Sequence, residues 1–256
     1  MRRNLSLTIF LLFAGVLSAG AVSSTGAGMA TFQSGPDQTV LIELFTSEGC
    51  SSCPPADAWM TGLKNSPYLW KAFVPVAFHV DYWDYLGWKD ALSSAEYTRR
   101  QREYSAVWKT SSVYTPMMVE NGKESREWYR SPTLSIKGKK DVGVLRVEQK
   151  GPMEFEVSFL PHNGVVIDNI SVHAAYLGCG MLTRVGGGEN QGKILPHDFT
   201  ALSLEHKKMQ YREGVLKTSI QFNSQGLAKA PRHAIAVWIS KSENDQPLQS
   251  TGGFLD

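Results

Sequence analysis

The sequence predicts an α/β domain over residues 39–141, followed by a mostly β, sandwich-like domain over residues 142–256. In the first part, two apolar strand-like runs, TVLIELFTS and FVPVAFHV, are separated by a segment with helical spacing of its apolar residues. Alternating buried strands and helices are typical of layered α/β structures with parallel strands. From about residue 142 the chain contains strand-like runs separated by turn residues, which favours a β-sandwich.

Each element has its own local signal. After the run TVLIELFTS, Ala56, Met60 and Leu63 recur at the spacing of a helix. A second helix is predicted for SSAEYTRRQREYSAVW, where Ser93 and Glu96 are spaced as a capping box. VYTPMMVENGKE predicts a hairpin around its Asn-Gly turn. The predicted strands of the second part are VGVLRVEQ, MEFEVSFL, NISVHAAYLG, LKTSIQFN and HAIAVWIS.

Residues 1–21 have the pattern of an export signal. Arg2 and Arg3 give a positive start, the apolar run over residues 5–17 is too short to span a bilayer, and small residues at 19–21 suit cleavage. A retained membrane anchor is the alternative. Residues 22–38 are small and polar, which predicts a flexible lead-in. We expect a periplasmic or secreted protein with no stable membrane insertion after cleavage.

The charge balance argues against two classes of partner. The chain has 26 basic and 24 acidic residues, a net charge of +2. Removal of residues 1–21 takes away two arginines and no acids, so the mature chain is close to neutral. A neutral chain has no electrostatic reason to bind nucleic acid or an anionic membrane surface. Two kinds of function remain for the chain, catalysis of a reaction or binding to another protein.

The three cysteines, Cys50, Cys53 and Cys179, cannot all pair within one chain. Pro54 and Pro55 directly follow the C-x-x-C pair, and proline is tolerated only in the first turn of a helix. The pair therefore lies at a helix N-terminus, where the dipole and free N–H groups favour a thiolate. We expect Cys50 to be the nucleophile and Cys53 the resolving thiol. For Cys179 we favour a buried free thiol.

Metal binding is an alternative use of the same pair. Zinc would need two more ligands, and no second C-x-x-C or His-x-x-x-His is present. His79, Asp81 and Asp84 could join the two thiolates around copper or zinc, although a single histidine at a strand end is more often structural. We therefore predict no resident cofactor or metal. A third alternative is a permanent structural disulfide.

Four stretches together resemble the secreted thioredoxin-like family known as domain of unknown function 1223. They are LIELFTSEGCSSCPPAD, VAFHVDYWDYLGWKD, VYTPMMVENGKE and GGGENQGKILPHDFTAL, so the resemblance covers nearly the whole mature chain. It implies a thioredoxin-like α/β domain followed by a β-rich extension, and it implies little about activity. It also implies that Thr115-Pro116 forms a cis-proline loop that faces the dithiol and binds an extended substrate.

The same resemblance draws attention to Glu43. Thioredoxins keep a buried carboxylate six residues before the first cysteine, where this chain has Leu44. Glu43 lies one residue earlier, and strand alternation turns it to the other face unless a bulge intervenes. Its role is either that of a proton relay or that of a structural hydrogen-bond acceptor. Thr46 and Glu48 are weaker candidates for tuning the dithiol.

Two further segments carry candidate residues. In HVDYWDYLGWKD, some aromatic rings should pack inward, while others, with Trp83 and Tyr85 as candidates, should face a substrate. GGGENQGK resembles a phosphate loop, but Ile194 stands where Ser or Thr would hold magnesium. We therefore interpret it as a flexible loop of the β region.

The combined pattern predicts an exported thiol–disulfide oxidoreductase. Its partners would be a protein or small-thiol substrate and a redox partner of unknown identity. The alternatives are a periplasmic copper-binding or copper-delivery protein and a non-catalytic binding module that contains a structural disulfide.

Overall fold

A computed structural model of the chain describes residues 29–126, 128–129, 140–241 and 246–255. The predicted export signal and residues 22–28 of the predicted lead-in lie outside these residues. Strands, with isolated β-bridges included, account for 46% of the described residues, and helices, with 3-10 turns included, for 15%. The helices are α1 (Pro54–Gly62) and α2 (Ala95–Val107). The strands are β1 (Thr31–Gln33), β2 (Val40–Thr46), β3 (Phe73–His79), β4 (Met117–Glu120), β5 (Lys123–Ser125), β6 (Gly143–Gly151), β7 (Glu154–Pro161), β8 (Ser171–Cys179), β9 (Met181–Arg184), β10 (Ile194–His197), β11 (Thr200–Lys208), β12 (Gln210–Arg212), β13 (Val215–Gln221), β14 (Arg232–Ser240) and β15 (Gln249–Leu255).

An eight-stranded sheet forms the centre of the fold, in the order β15-β14-β8-β11-β3-β2-β4-β5. β2 and β3 are parallel, with Val40 opposite Phe73 at the start of the ladder. β11 is parallel to β3, with Thr200 opposite Ala77, and the Ala77 N–H donates to the Phe199 carbonyl at 2.8 Å. The remaining neighbours are antiparallel.

The prediction of an α/β thioredoxin-like domain followed by a sandwich-like β domain is wrong. The structure is mostly β, and β8, β11, β14 and β15 from the second half continue the sheet that β2–β5 begin. Of the strands in this sheet, β2, β3, β4, β5, β8 and β14 were predicted from their sequence patterns, whereas β11 and β15 were not. The pairing of β3 with β11 was missed because β11 itself was not predicted and because periodicity contains no information about a partner far along the chain.

A five-stranded sheet, in the order β1-β6-β7-β13-β12, packs on the C-terminal part of the larger sheet. Successive residues of β8 alternate between two apolar cores, as strand geometry requires. Val172 and Ala174 join the core beneath the five-stranded sheet, whereas Ala175 and Leu177 join the core around β2 and β3. β1 lies within the predicted flexible lead-in, yet it pairs with β6.

The helix and hairpin signals are largely confirmed. α1 begins at Pro54 with Cys53 as its N-cap, as the two prolines predicted. α2 begins at Ala95, but its N-cap is Ser94 rather than Ser93, and the Ser94 hydroxyl accepts the Glu96 N–H. β4 and β5 form the predicted hairpin, with positive φ angles at the Asn-Gly turn.

Candidate functional site

A disulfide joins Cys50 and Cys53 where β2 leads into α1, with the two Cα atoms 5.5 Å apart. The Cys53 N–H donates to the Cys50 carbonyl at 3.2 Å, and the Cys53 carbonyl then accepts the first helical bond, from Ala56 at 2.8 Å. The cysteines are 1% and 0% exposed, whereas Ser51 and Ser52 between them are exposed. The predicted local pair is therefore present as a disulfide that the protein largely covers.

The Thr115–Pro116 peptide bond is cis, as the resemblance implied. The Thr115 carbonyl lies 3.5 Å from the Ser52 hydroxyl, so this loop adjoins the disulfide. Trp83 donates from its indole N–H to the Thr115 hydroxyl at 2.8 Å, which places it at the same edge. Thr115, Pro116 and Trp83 are thus brought together with the cysteines. Tyr85 is 78% exposed, and among the described residues no hydrogen bond or ring contact joins it to this group.

Glu43 belongs to a different group of side chains. It is fully buried, and its carboxylate accepts one hydrogen bond from Arg100 at 2.7 Å and another from the Tyr104 hydroxyl, both on α2. The neighbouring alternate residue Phe45 also packs on Tyr104. Glu43 therefore faces α2, as unbroken strand alternation requires, and the geometry favours the structural alternative over a proton relay at the dithiol.

Five buried ionisable side chains lie together behind the disulfide loop, and we call them the buried charge cluster. His79 Nδ1 is 2.7 Å from Asp90 Oδ2, and His197 Nε2 is 3.0 Å from Glu48 Oε1. The two imidazole rings meet edge to face with centroids 4.9 Å apart. The members are Glu48, Asp57, His79, Asp90 and His197.

The cluster is connected to the cysteine loop through the backbone. The Glu48 N–H donates to Asp90 at 3.0 Å, and the Asp57 N–H donates to the Cys53 carbonyl at 3.1 Å. Trp88 also donates its indole N–H to Glu48, at 2.7 Å. The loop between β2 and α1 is therefore hydrogen-bonded to these charged groups.

The members of the cluster shift one another's pKa values. Burial alone would lower the pKa of His79, but the charge and hydrogen bond of Asp90 raise it to about 9. Burial would raise the pKa of Asp90, but His79 lowers it to about 2. Burial raises the pKa of Asp57, against the opposing charge of His79. His79 and Asp90 are consequently a charged pair at neutral pH, and Asp57 retains a proton more readily than an exposed aspartate.

Metal binding finds no support in this geometry. Within the described ranges, no group of three or more His, Cys, Asp and Glu side chains is arranged to hold a metal ion. His79 is held by Asp90, while Asp81 accepts the Thr98 hydroxyl and Asp84 accepts the Asp90 N–H. The aspartates predicted as possible ligands therefore stabilise the loop before α2.

The GGGENQGK segment is the least expected part of the site, because we interpreted it as a flexible loop. Gly188–Asn190 forms a 3-10 turn between β9 and β10, and Asn190 is fully buried. Its amide Nδ2 donates to the carbonyls of Glu48, at 2.9 Å, and Cys50, at 2.8 Å. Glu189 accepts the Ser51 N–H at 3.0 Å. This segment is a strap that holds the cysteine loop from the far half of the chain.

Cys179 is buried and free, as predicted. The Phe199 N–H donates to its sulfur at 3.4 Å. Burial raises the pKa of the Cys179 thiol to about 11. This thiol is consequently unreactive at neutral pH.

Sequence reasoning missed Asp57, Asp90, His197, Glu189 and Asn190. One local signal could have located His197, because alternation in ILPH puts it on the same face as Leu195, and both are buried in β10. Asp57 lies in the first turn of α1, where a carboxylate ordinarily complements the helix dipole, so its burial leaves no sequence signal.

The family described as "Protein of unknown function (DUF1223)" matches residues 41–240. The chain belongs to this family. No curated protein matches the chain. Its fold is similar to that of protein AGR_C_4864 from Agrobacterium tumefaciens, at 24% identity, with 84% of this chain and 93% of that chain covered and a TM-score of 0.60.

HBP35 of Porphyromonas gingivalis also has a similar fold. The identity is 12%, with 86% of this chain and 76% of that chain covered and a TM-score of 0.54. At these identities the likenesses concern the fold alone. Among the described residues of this DUF1223 member, neither helix is long and apolar enough to cross a membrane.

Proposed function

We propose that this DUF1223 protein is an exported thiol–disulfide oxidoreductase that acts on protein or small-thiol substrates. The supporting observation is the Cys50–Cys53 disulfide at the N-terminal end of α1. Free N–H groups and the positive end of a helix dipole stabilise a thiolate at such a position. The Ser52 hydroxyl lies 3.3 Å from Cys50 Sγ, so it can donate a hydrogen bond to that sulfur in the reduced protein.

In the reducing direction, the reaction consists of two successive thiol–disulfide exchange steps. The Cys50 thiolate attacks one sulfur of a substrate disulfide, forms a mixed disulfide and releases a substrate thiolate, which takes up a proton. Cys53 loses its proton and attacks the Cys50 sulfur, so that the Cys50–Cys53 disulfide forms and the second substrate thiol leaves. Two electrons pass to the substrate, and a dithiol electron donor restores the reduced pair. The oxidising direction is the reverse of these steps.

Substrate contact would fall on Thr115, Pro116 and Trp83. A cavity of about 280 Å³ is lined by Tyr114 and Met117, the residues that flank the Thr115–Pro116 dipeptide. The Thr115 carbonyl beside Ser52 is a hydrogen-bond acceptor for an extended polypeptide. For Tyr85, substrate contact stays a prediction. We place the protein outside the cytoplasm because residues 1–21 have an export pattern.

The burial of both sulfurs favours a second candidate function. Cysteines that are 1% and 0% exposed suit a structural disulfide in a binding module as well as they suit a covered redox pair. In such a module, a double Cys50→Ser, Cys53→Ser variant would keep its binding partner. In an exchange enzyme, the same variant would lose all activity.

The first test is the rate of Cys50 alkylation against pH, in the reduced mature protein with Cys179→Ala to remove the third thiol. We expect a midpoint at or below about 7, since the position stabilises a thiolate. A midpoint near 8.5, the value for an unperturbed thiol, or a complete lack of reaction would remove the support for exchange and favour the structural disulfide.

A Cys53→Ser variant gives an independent test of the assigned roles. Without the resolving thiol, the mixed disulfide on Cys50 cannot be released, so covalent adducts with substrates should accumulate. Non-reducing electrophoresis of the exported fraction would detect them. Cys50→Ser is the matched control and should form none. Adducts in equal amount from both variants would contradict the assignment of Cys50 as the attacking residue.

A further inference from the structure

Glu189 brings a negative charge to the loop between the two cysteines. Its Oε2 accepts the N–H of Ser51, the residue that follows Cys50, at 3.0 Å. That hydrogen bond lowers the pKa of Glu189, so the side chain is an anion at neutral pH. In the part of the chain that the structure describes, Glu189 has no ion-pair partner. Its charge is therefore not neutralised by a neighbouring cation.

The strap that carries Glu189 is fixed in place. Asn190 is fully buried and donates to the Cys50 carbonyl, and Lys193 Nζ donates to Asn190 Oδ1 at 2.8 Å. Gly187 approaches the backbone of the loop before α2 so closely that a Cβ atom there would lie 2.6 Å from the Gly87 carbonyl oxygen. The carboxylate is thus presented to Ser51 by a built contact between the two halves of the chain.

We propose that Glu189 is a positioning residue that biases the Cys50–Cys53 pair toward its disulfide form and so makes the reduced protein a stronger electron donor. This inference rests on the proposed exchange activity. Near Cys50, the carboxylate repels a thiolate, and it also occupies an N–H group that could otherwise stabilise that thiolate. Both effects disfavour the reduced state with a thiolate at Cys50 relative to the disulfide. A disfavoured reduced state corresponds to a lower, more reducing potential.

The other charged groups near the loop do not change this sign argument. They are Lys193, whose Nζ donates to Asn190 Oδ1, and the buried charge cluster of Glu48, Asp57, His79, Asp90 and His197. All of them remain in a variant of Glu189. The difference between wild type and such a variant therefore isolates one carboxylate.

The test compares Glu189→Gln with Glu154→Gln, which removes the same charge from an exposed position on β7. The glutamine keeps an acceptor for the Ser51 N–H. We expect the midpoint of Cys50 alkylation against pH to fall in Glu189→Gln by about 0.3 to 0.7 pH units, a two- to fivefold change in the acid constant, which is the effect of a charge near a helix terminus. We expect its reduction potential, measured against a glutathione redox buffer, to rise by roughly 10 to 20 mV, since tenfold corresponds to about 30 mV. Glu154→Gln should match the wild type in both.

A charge-conserving variant separates electrostatics from loop geometry. Glu189→Asp should keep a potential close to that of the wild type, and the effect of Glu189→Gln should shrink in 1 M salt because exposed charges are then screened. An unchanged potential in Glu189→Gln would overturn the inference while leaving the exchange activity intact. Equal shifts in the Asp and Gln variants would overturn it too, in favour of geometry. Failure of wild-type Cys50 to react at all would overturn both this inference and the proposed function.

Discussion

His79 and Asp90 form a charged pair that the protein shields from water. Charged pairs in such positions persist when the two groups compensate each other's lost hydration, and removal of one partner leaves a costly unpaired charge. Asp90 does more than this, because its Oδ2 also accepts the Glu48 N–H and thereby fixes the loop that leads to Cys50. A single carboxylate thus joins the end of β3 to the start of the candidate site.

The Asp90→Asn variant removes the negative charge of the buried His79–Asp90 pair. A His79 pKa raised from 6.5 to about 9 corresponds to roughly 3 kcal/mol of stability, which is complete below pH 6.5 and lost as the pH rises through 9. The lowered pKa of Asp90 reflects the same interaction, whose contribution is also lost on the acid side as the pH falls from about 4 through 2. Asp90→Asn should therefore destabilise the protein most between pH 4 and 6.5, and progressively less toward pH 9.

Chemical denaturation across this pH range would measure the effect. Asp141→Asn is the matched control, because Asp141 pairs with His162 at the same 2.7 Å distance on the exposed surface. An exposed pair contributes at most about 1 kcal/mol. Equal losses in the two variants, or a loss in Asp90→Asn that does not change with pH, would contradict the burial argument.

At the scale of elements, the strap between β9 and β10 completes the hydrogen bonding of the turn before α1. The turn leaves the Glu48 carbonyl without a partner in its own segment and gives the Cys50 carbonyl one, the Cys53 N–H. The Asn190 amide donates to both carbonyls. Buried carbonyls without partners are costly. Local sequence around the cysteines therefore does not specify the site on its own, because a side chain from the far half completes it.

The Asn190→Ala variant tests how much the strap stabilises the cysteine loop. Loss of two hydrogen bonds to buried carbonyls should cost about 2–3 kcal/mol of unfolding free energy. Release of the strap should also speed Cys50 alkylation in the reduced protein, because Cys50 is only 1% exposed. Asn223→Ala, at an exposed turn with one local hydrogen bond, is the control for both measurements. A stability loss with unchanged alkylation would mean that the strap does not limit access to the sulfur.

At the scale of the whole molecule, the eight-stranded sheet crosses the predicted domain boundary between residues 141 and 142. β3 is an inner strand only because β11 covers its edge. The core around β2 and β3 also contains Leu177, Phe199 and Trp238 from the second half. The Arg100 guanidinium stacks on the Trp238 ring, 5.0 Å from its centroid, so even the partner of Glu43 contacts β14.

A fragment of residues 29–141 tests how far the first half depends on the second. We expect it to lack a cooperative unfolding transition and to bind a hydrophobic dye, because β3 would become an exposed apolar edge strand. The full mature chain is the control. A fragment that unfolds cooperatively, with a dispersed amide spectrum, would show that the first half is an independent domain.

Some features of the structure could be predicted from the sequence alone. Strands such as β2, β3, β8 and β14, the start of α1 at Pro54 and the local cysteine pair follow from short-range patterns, and the structure has them. The order of strands in the sheet and the buried charge cluster depend on contacts between distant segments. No periodicity encodes that Thr200 lies beside Ala77 or that His197 lies beside His79. The candidate site is assembled from such contacts.

The joint between β3 and β11 has a consequence for how the protein is made. Synthesis proceeds from the N-terminus, so Ala77 emerges long before Thr200, its neighbour in the finished sheet. During that interval an apolar strand edge has no native partner, and such edges readily pair with other chains. Long-range pairing of this kind is also slow to form. The growing chain therefore passes through a state in which this apolar edge is open to wrong partners until its second half arrives.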